Sequence, residues 1–356
     1  MDYANSMLEV IGNTPLLKLN RIGKDLKANI FVKLEHLNPS GSYKDRMALA
    51  MVEAAERGET WNGKKLKPGG TVCDASAGNT APALAFVCAM KGYKIKLCSY
   101  AHFLHSEDKS KSARLKISSS FGADHYPCPL PNDNILDQFD DEKARRYAVI
   151  IGGKHHMYEM EKEDPETVWV DQIYNDANTK GQMSMGEEIY KQLDGKIDAW
   201  GASIGSGATF LGVATALKGH AVEPYTFGVV PDEGTSLVDI SAGIMDSSSM
   251  GRPPLRMKIV EMFGLHKWIT EDSIVEKLYK AGYPDEWFGV TQEDARAMAH
   301  RLCKEEGIYC GMSSGANVYA ALKVAERMDP GSNIVTVIVD RRDRYMDEFP
   351  EEKYVV

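Results

Sequence analysis

The chain has 356 residues, 43% of them hydrophobic and 26% charged, and a formal net charge of −9, which suits a globular enzyme of one large or two medium domains with a full core. The acidic balance argues against nucleic acid or an anionic membrane surface as partner. No apolar run approaches the roughly 20 residues of a membrane helix, and the acidic start Met1–Val10 does not resemble a secretion signal, so a cytoplasmic protein is expected.

Taken in chain order, Ile30–Leu34 reads as a strand and Asp45–Arg57 as a helix, with apolar positions at Met47, Leu49, Ala50, Ala54 and Ala55. A Gly- and Lys-rich loop over 58–70 leads to a strand at Thr71–Ala75, a helix at Asn79–Met90, a strand at Lys94–Ser99 and a helix near Ser110–Phe121. From Pro127 to Gly153 the periodicity fades among prolines and acidic residues, which reads as a surface insertion or a crossover. Regular patterns return with a helix at Met185–Leu193, a strand at Ala199–Ala202, a helix at Ser206–Lys218 and a strand at Tyr225–Val230. Residues 243–256 read as an open loop. Thr291 caps a helix to about Glu306, a further helix spans Gly315–Met328, and Ile334–Asp340 closes as a strand. This alternation predicts an α/β fold with largely parallel sheets.

Cysteines at 73, 88, 98, 128, 303 and 310 show no CxxC spacing and sit in apolar runs, so buried free thiols are expected. His155 and His156 are adjacent, so their side chains point apart and no shared metal is expected.

Three turns carry the chemistry. In Ser40-Gly41-Ser42-Tyr43-Lys44-Asp45-Arg46, a Gly/Ser turn delivers the Lys44 amine to a helix N-terminus, where it suits a Schiff base with an aldehyde cofactor. In Gly205-Ser206-Gly207-Ala208-Thr209, small residues between a strand and a helix let backbone N–H groups approach a phosphate. It is no dinucleotide fingerprint, because the third glycine of that motif would fall at Phe210. In Ser76-Ala77-Gly78-Asn79-Thr80, N–H groups and hydroxyls suit an amino-acid carboxylate, and Asn79 offers an amide donor for a phenolic ring oxygen. A fourth segment, Gly311–Asn317, offers Ser313 to a pyridine nitrogen; a neutral partner leaves that nitrogen largely unprotonated, which suits departure of a β-substituent. For each turn, plain helix capping is the competing explanation. A rival motif overlaps the second turn: Gly201-Ala202-Ser203-Ile204-Gly205 matches the GxSxG elbow of hydrolases, with Asp232 and His266 available in order.

Taken together these segments resemble, in order and over nearly the whole chain, fold-type II pyridoxal phosphate (PLP) enzymes of the cysteine synthase and cystathionine β-synthase family. Ile11–Leu16 resembles the opening motif and Lys33–Pro39 the first strand. The resemblance implies Lys44 as cofactor anchor and Cα proton carrier, with Asn79, Gly205, Ser206, Gly207, Ala208, Thr209 and Ser313 binding the cofactor. It also implies Ser76, Ala77, Gly78, Thr80 and Gln172 as substrate-carboxylate contacts. It further implies two α/β/α domains with largely parallel twisted sheets and PLP in the cleft between them. Residues 1–44 and 156–356 would form the larger, PLP-binding domain and 45–155 a smaller mobile substrate domain; a homodimer is expected from the resemblance alone. The implied reaction is β-replacement on a serine- or cysteine-type amino acid through an aminoacrylate. The runner-up is elimination or hydrolytic desulfuration of cysteine with release of hydrogen sulfide, and the remote alternatives are a catalytically silent binding partner and the GxSxG hydrolase.

Some positions depart from the family pattern. Ala77 stands where serine is usual and Ala81 where glycine is common; 256–264 lacks a Gly-rich loop, and Val339-Asp340-Arg341-Arg342-Asp343-Arg344-Tyr345 carries an extra arginine, expected to shape the second-substrate entrance. Pro231–Ser236 brings Asp232 and Glu233, and Asp232 is expected to act as an acid or base for the leaving group or nucleophile.

Overall fold

The computed structural model describes residues 3–76, 78–99, 113–127, 142–232 and 272–349. In chain order its first half runs β1 (Leu16–Lys18), β2 (Asn29–Leu34), α1 (Lys44–Arg57), β3 (Thr71–Ala75), α2 (Thr80–Lys91), β4 (Lys94–Ser99), α3 (Ala113–Ser120), β5 (Asp124–Pro127), α4 (Glu142–Glu163) and β6 (Thr167–Trp169). The second half runs α5 (Asp176–Gln192), β7 (Ala199–Ser203), α6 (Ala208–Gly219), β8 (Tyr225–Pro231), α7 (Ile274–Lys280), β9 (Glu286–Val290), α8 (Gln292–Glu306), α9 (Met312–Ala325) and β10 (Asn333–Ile338).

Two sheets result. The larger has the order β1-β2-β10-β7-β8-β9, parallel except for β1 at its edge. The smaller has the order β5-β4-β3-β6 and is wholly parallel. Side chains of β10 alternate between two apolar layers: Ile334 and Ile338 join Val32, Leu302 and Val318, whereas Val335 and Val337 join Trp200, Phe210 and Leu278. That is the two-residue period of a strand covered on both faces. The smaller sheet has its own core, in which Met47 and Met51 of α1 meet Val72, Leu84 and Leu97. The protein therefore has two α/β domains, as expected. Thr291 caps α8 as anticipated, its hydroxyl accepting from the Asp294 N–H at 3.1 Å.

Three features differ from the reading of the sequence. The stretch read as irregular, 127–153, runs into the 22-residue helix α4, Glu142–Glu163, which the reading did not contain. Its buried face carries Lys154, Met157 and Glu161, spaced like one stripe of a helix but two-thirds charged, so no apolar period is visible. Lys154 pairs with Asp171 at 3.0 Å, and Glu161 accepts from the Trp61 indole at 2.9 Å and the Trp169 N–H at 3.0 Å. Strand β6 pairs with β3 in the smaller sheet, so that sheet runs past residue 155; at three residues β6 gives no alternating signal. Finally, Cys73, Cys88, Cys303 and Cys310 are free thiols, but Cys98, at the end of β4, is disulfide-bonded. The expected loop at 243–256 lies outside the described residues.

Candidate active site

The turns singled out above all leave the carboxyl ends of strands. The lysine turn follows β2, the carboxylate loop β3, Gln172 β6, the glycine turn β7 and Asp340 β10. Parallel strands put those ends on one edge of each sheet, the usual place for a ligand in α/β proteins.

Lys44 is the first residue of α1 and is half-buried, with Nζ 4.7 Å from the centre of the Tyr43 ring. Loss of solvent lowers its amine from the ordinary 10.5 to about 8; the Asp74 carboxylate opposes the shift only in part. The turn before it is rigid: Asp45 accepts from the Ser40 N–H at 2.7 Å and from the Ser40 hydroxyl. Two residues further on, Arg46 ties α1 to the larger sheet. Its guanidinium reaches Glu35 at 2.8 Å and Glu188 at 2.7 Å, and Lys33 reaches Glu188 at 2.6 Å. Burial alone would push Glu188 up, but the hydrogen bonds and charges of Arg46 and Lys33 hold its carboxyl at about 2.

The glycine turn lies between β7 and α6. Gly207 stands at φ +86°, and a Cβ there would approach the Val275 backbone to 3.2 Å, so both conformation and space call for glycine. α6 begins without a side-chain cap, which leaves its first N–H groups for an anion. The buried Thr209 lies near enough to the Tyr43 phenol to affect its ionisation, which brings this turn close to the residue before Lys44. Tyr43, Ser203, Gly205, Pro231, Met312 and Ser313 are among the walls of a cavity of about 440 Å³. The two neighbouring serines divide: Ser313 faces this cavity, whereas Ser314 is buried and accepts from the Val339 N–H at 2.9 Å.

The carboxylate loop is partly engaged with itself. The Ser76 hydroxyl accepts from the Gly78 N–H at 3.1 Å. Gln172 reaches the loop, accepting from the Thr80 hydroxyl at 2.6 Å and donating to the Ala75 carbonyl at 3.2 Å. Behind it lies the buried Asp74, which accepts from the Trp169 indole at 3.1 Å; burial first, and then the nearby Asp171, raise its carboxyl to about 7. Ala77 lies outside the described residues, as do Glu233, His266 and 256–264.

Other expected contributors stand elsewhere. Asp232 is exposed at the end of β8, with its N–H bonded to the Val290 carbonyl and its carboxylate against Gly289. Pro231 walls the cavity, but Asp232 does not. Ser203 ends β7 and is not among the positive-φ residues, so it lacks the strained turn of a hydrolase elbow. Of the two adjacent arginines in the run with the extra arginine, Arg342 is fully buried and donates to the Cys310 carbonyl at 3.0 Å; Arg341 is exposed and pairs with Asp343 at 2.8 Å.

The sequence reading missed Asp340, Arg344 and Tyr345 as neighbours of Asn79. The Asn79 carboxamide donates to Asp340 and accepts from Arg344. The only sequence signal was the departure of 339–345 from the family run, and it carried no indication of direction.

A protein-family model described as pyridoxal-phosphate dependent enzyme matches residues 7–340. Cysteine synthase 1 of Emericella nidulans is 35% identical over 353 residues, covering 97% of this chain and 84% of that protein. Among solved structures, cysteine synthase from Entamoeba histolytica superposes with a TM-score of 0.74 at 26% identity, covering 100% of this chain and 93% of that one. A hydrogen sulfide-producing enzyme from Fusobacterium nucleatum gives 0.70 at 28% identity, covering 97% and 100%. The residues fit the group these findings imply: an amine of lowered basicity 4.7 Å from the ring of Tyr43, which walls the cavity, an uncapped helix start after a glycine turn for a phosphate, and a neutral serine on the wall. The chain belongs to the pyridoxal-phosphate dependent enzyme family, with the fold-type II architecture and pyridoxal phosphate as its cofactor.

Proposed function

We propose that this enzyme catalyses β-replacement on a small α-amino acid bearing a leaving group at Cβ, in the manner of a cysteine synthase. The observation that carries the reading is the cavity itself, which joins the Lys44 turn to the glycine turn with an uncharged serine, Ser313, on its wall. Bound pyridoxal phosphate supplies an electron sink conjugated to the substrate Cα. Gly205 to Thr209 would hold the phosphate through backbone N–H groups, and Lys44 would anchor the aldehyde carbon. Lys44 would also move the substrate's Cα proton, for which its lowered basicity suits it. Ser76, Gly78, Thr80 and Gln172 bind the substrate carboxylate. Asn79 donates to the ring oxygen. Ser313 carries no charge with which to hold a proton on the ring nitrogen, so the leaving group at Cβ takes the electrons.

The name of the Emericella relative supports replacement with a sulfur nucleophile. The Fusobacterium neighbour favours a second reading, elimination from cysteine with release of sulfide on the same residues. A homodimer belongs to the proposal and is checked by light scattering. Product analysis with serine, O-acetylserine, phosphoserine and cysteine, each with and without sulfide or homocysteine, tests it. Formation of cysteine or cystathionine supports replacement, and sulfide from cysteine alone supports the second reading. A protein that binds the cofactor yet turns over none of these amino acids would sink both.

A further inference from the structure

The carboxamide of Asn79 sits between the Asp340 carboxyl and the Arg344 guanidinium. Arg344 Nη1 donates to its Oδ1 at 2.7 Å, and its Nδ2 donates to Asp340 Oδ2 at 2.5 Å. Both partners are buried, Asp340 completely and Arg344 to 4% exposure. Neither belongs to the domain that carries Asn79: they follow β10 of the larger sheet, whereas Asn79 precedes α2 over the smaller one.

Each partner is itself fixed. Asp340 forms a backbone bridge with Ser42, its carbonyl accepts from the Gly311 N–H at 3.2 Å, and its Oδ2 also accepts from the Tyr345 hydroxyl. Any side chain at Gly311 would put a Cβ 2.5 Å from Asp340 Oδ1, so a bare backbone is needed there. Arg344 Nη2 donates to the Ser40 carbonyl, in the turn that leads to Lys44.

A carboxamide can occupy its site in two orientations related by a half-turn, which exchanges donor and acceptor. Here the exchanged orientation would set oxygen against the Asp340 oxygen that already accepts from Tyr345, and NH₂ against guanidinium, two repulsive contacts in a buried place. One orientation is therefore enforced. In it one N–H goes to Asp340, while the contact of Nδ2 to the Tyr345 hydroxyl, at 3.5 Å, is too long to hold the second firmly.

We propose that Asp340 and Arg344 are positioning residues that lock the Asn79 carboxamide so that its second N–H faces the cofactor's ring oxygen. The inference rests on the ring-oxygen role given to Asn79 above. Because the locking groups come from the other domain, that donor is set only while the two domains are docked.

The test uses purified holoenzyme without amino acid, so it is independent of which reaction the enzyme runs. Asp340→Asn keeps the shape but replaces an acceptor-only partner with a carboxamide, removing one of the two contacts that distinguish the orientations. We expect it to weaken cofactor affinity, measured by fluorescence titration, by about tenfold, the loss of one charge-assisted hydrogen bond. It should also change the ratio of the cofactor's visible to near-ultraviolet absorption. Asn79→Ala should produce the same spectral change, and adding Asp340→Asn to Asn79→Ala should produce no further loss. Wild-type affinity and spectrum in Asp340→Asn would overturn the proposal. So would full additivity in the double variant, since Asp340 would then act through packing alone. If Asp340→Asn does not fold, Arg344→Lys carries the same cycle, with the same two outcomes. An intact spectral coupling in a protein that turns over no amino acid would sink the β-replacement reading and leave this one standing.

Discussion

Uptake of pyridoxal phosphate by the apoenzyme should follow the titration of Lys44 with pH. Only a neutral amine attacks an aldehyde. Burial lowers this amine from 10.5 to about 8. At pH 7.5 roughly a quarter of it is then neutral, against about one part in a thousand for a free lysine, a gain of about 200-fold. Between pH 6 and pH 9 the neutral fraction climbs by about two orders of magnitude and then levels off. The assay is stopped-flow uptake of cofactor by apoenzyme, with a simple alkylamine run in parallel to cancel the cofactor's own ionisations. A rate profile with its midpoint near 8 is expected, and Lys44→Ala should show no covalent uptake at any pH. The Asp74 carboxylate holds the amine's basicity up in part, so Asp74→Asn should move the midpoint lower. A midpoint near 10, or a rate indifferent to pH, would refute the reasoning, because the amine would then stand in bulk water.

Asp74→Asn should also stabilise the protein more at pH 8 than at pH 4. The folded carboxyl, raised to about 7, holds a proton that the unfolded chain releases near 4, so the native state loses stability as pH rises through that window. Chemical denaturation at the two pH values reads the difference, a few kcal/mol at most. Arg46→Met should cost about 3–5 kcal/mol by the same method, since it strands Glu35 and Glu188 without their buried partner. Gly207→Val should weaken cofactor binding in equilibrium dialysis, because it combines a left-handed backbone with a clash at Val275. Asp232→Asn should keep turnover within the same order of magnitude, whereas loss of a catalytic acid would cost about 10²–10⁴; steady-state rates decide.

Local chemistry set much of this protein before any folding is considered. A lysine that opens a helix after Gly41, a phosphate turn that needs glycine at 207, a polar loop from Ser76 and a serine at 313 are each recognisable within a few residues, because their roles depend on backbone conformation and side-chain type close at hand. The strands of the central sheets were legible for the same reason: both faces are covered, so their apolar runs are nearly continuous. Only the tertiary structure decided the rest. Lys154 and Glu161 hide a helix because partners on other elements satisfy them, an ion pair with Asp171 and the Trp61 indole N–H, and a polar face buried in that way has no sequence period. Asp232, at the end of a strand that borders the cavity, turns out to face Gly289 instead. The partners of Asn79 are more than 260 positions away, and hydrogen-bond geometry across two domains leaves no trace in the order of residues.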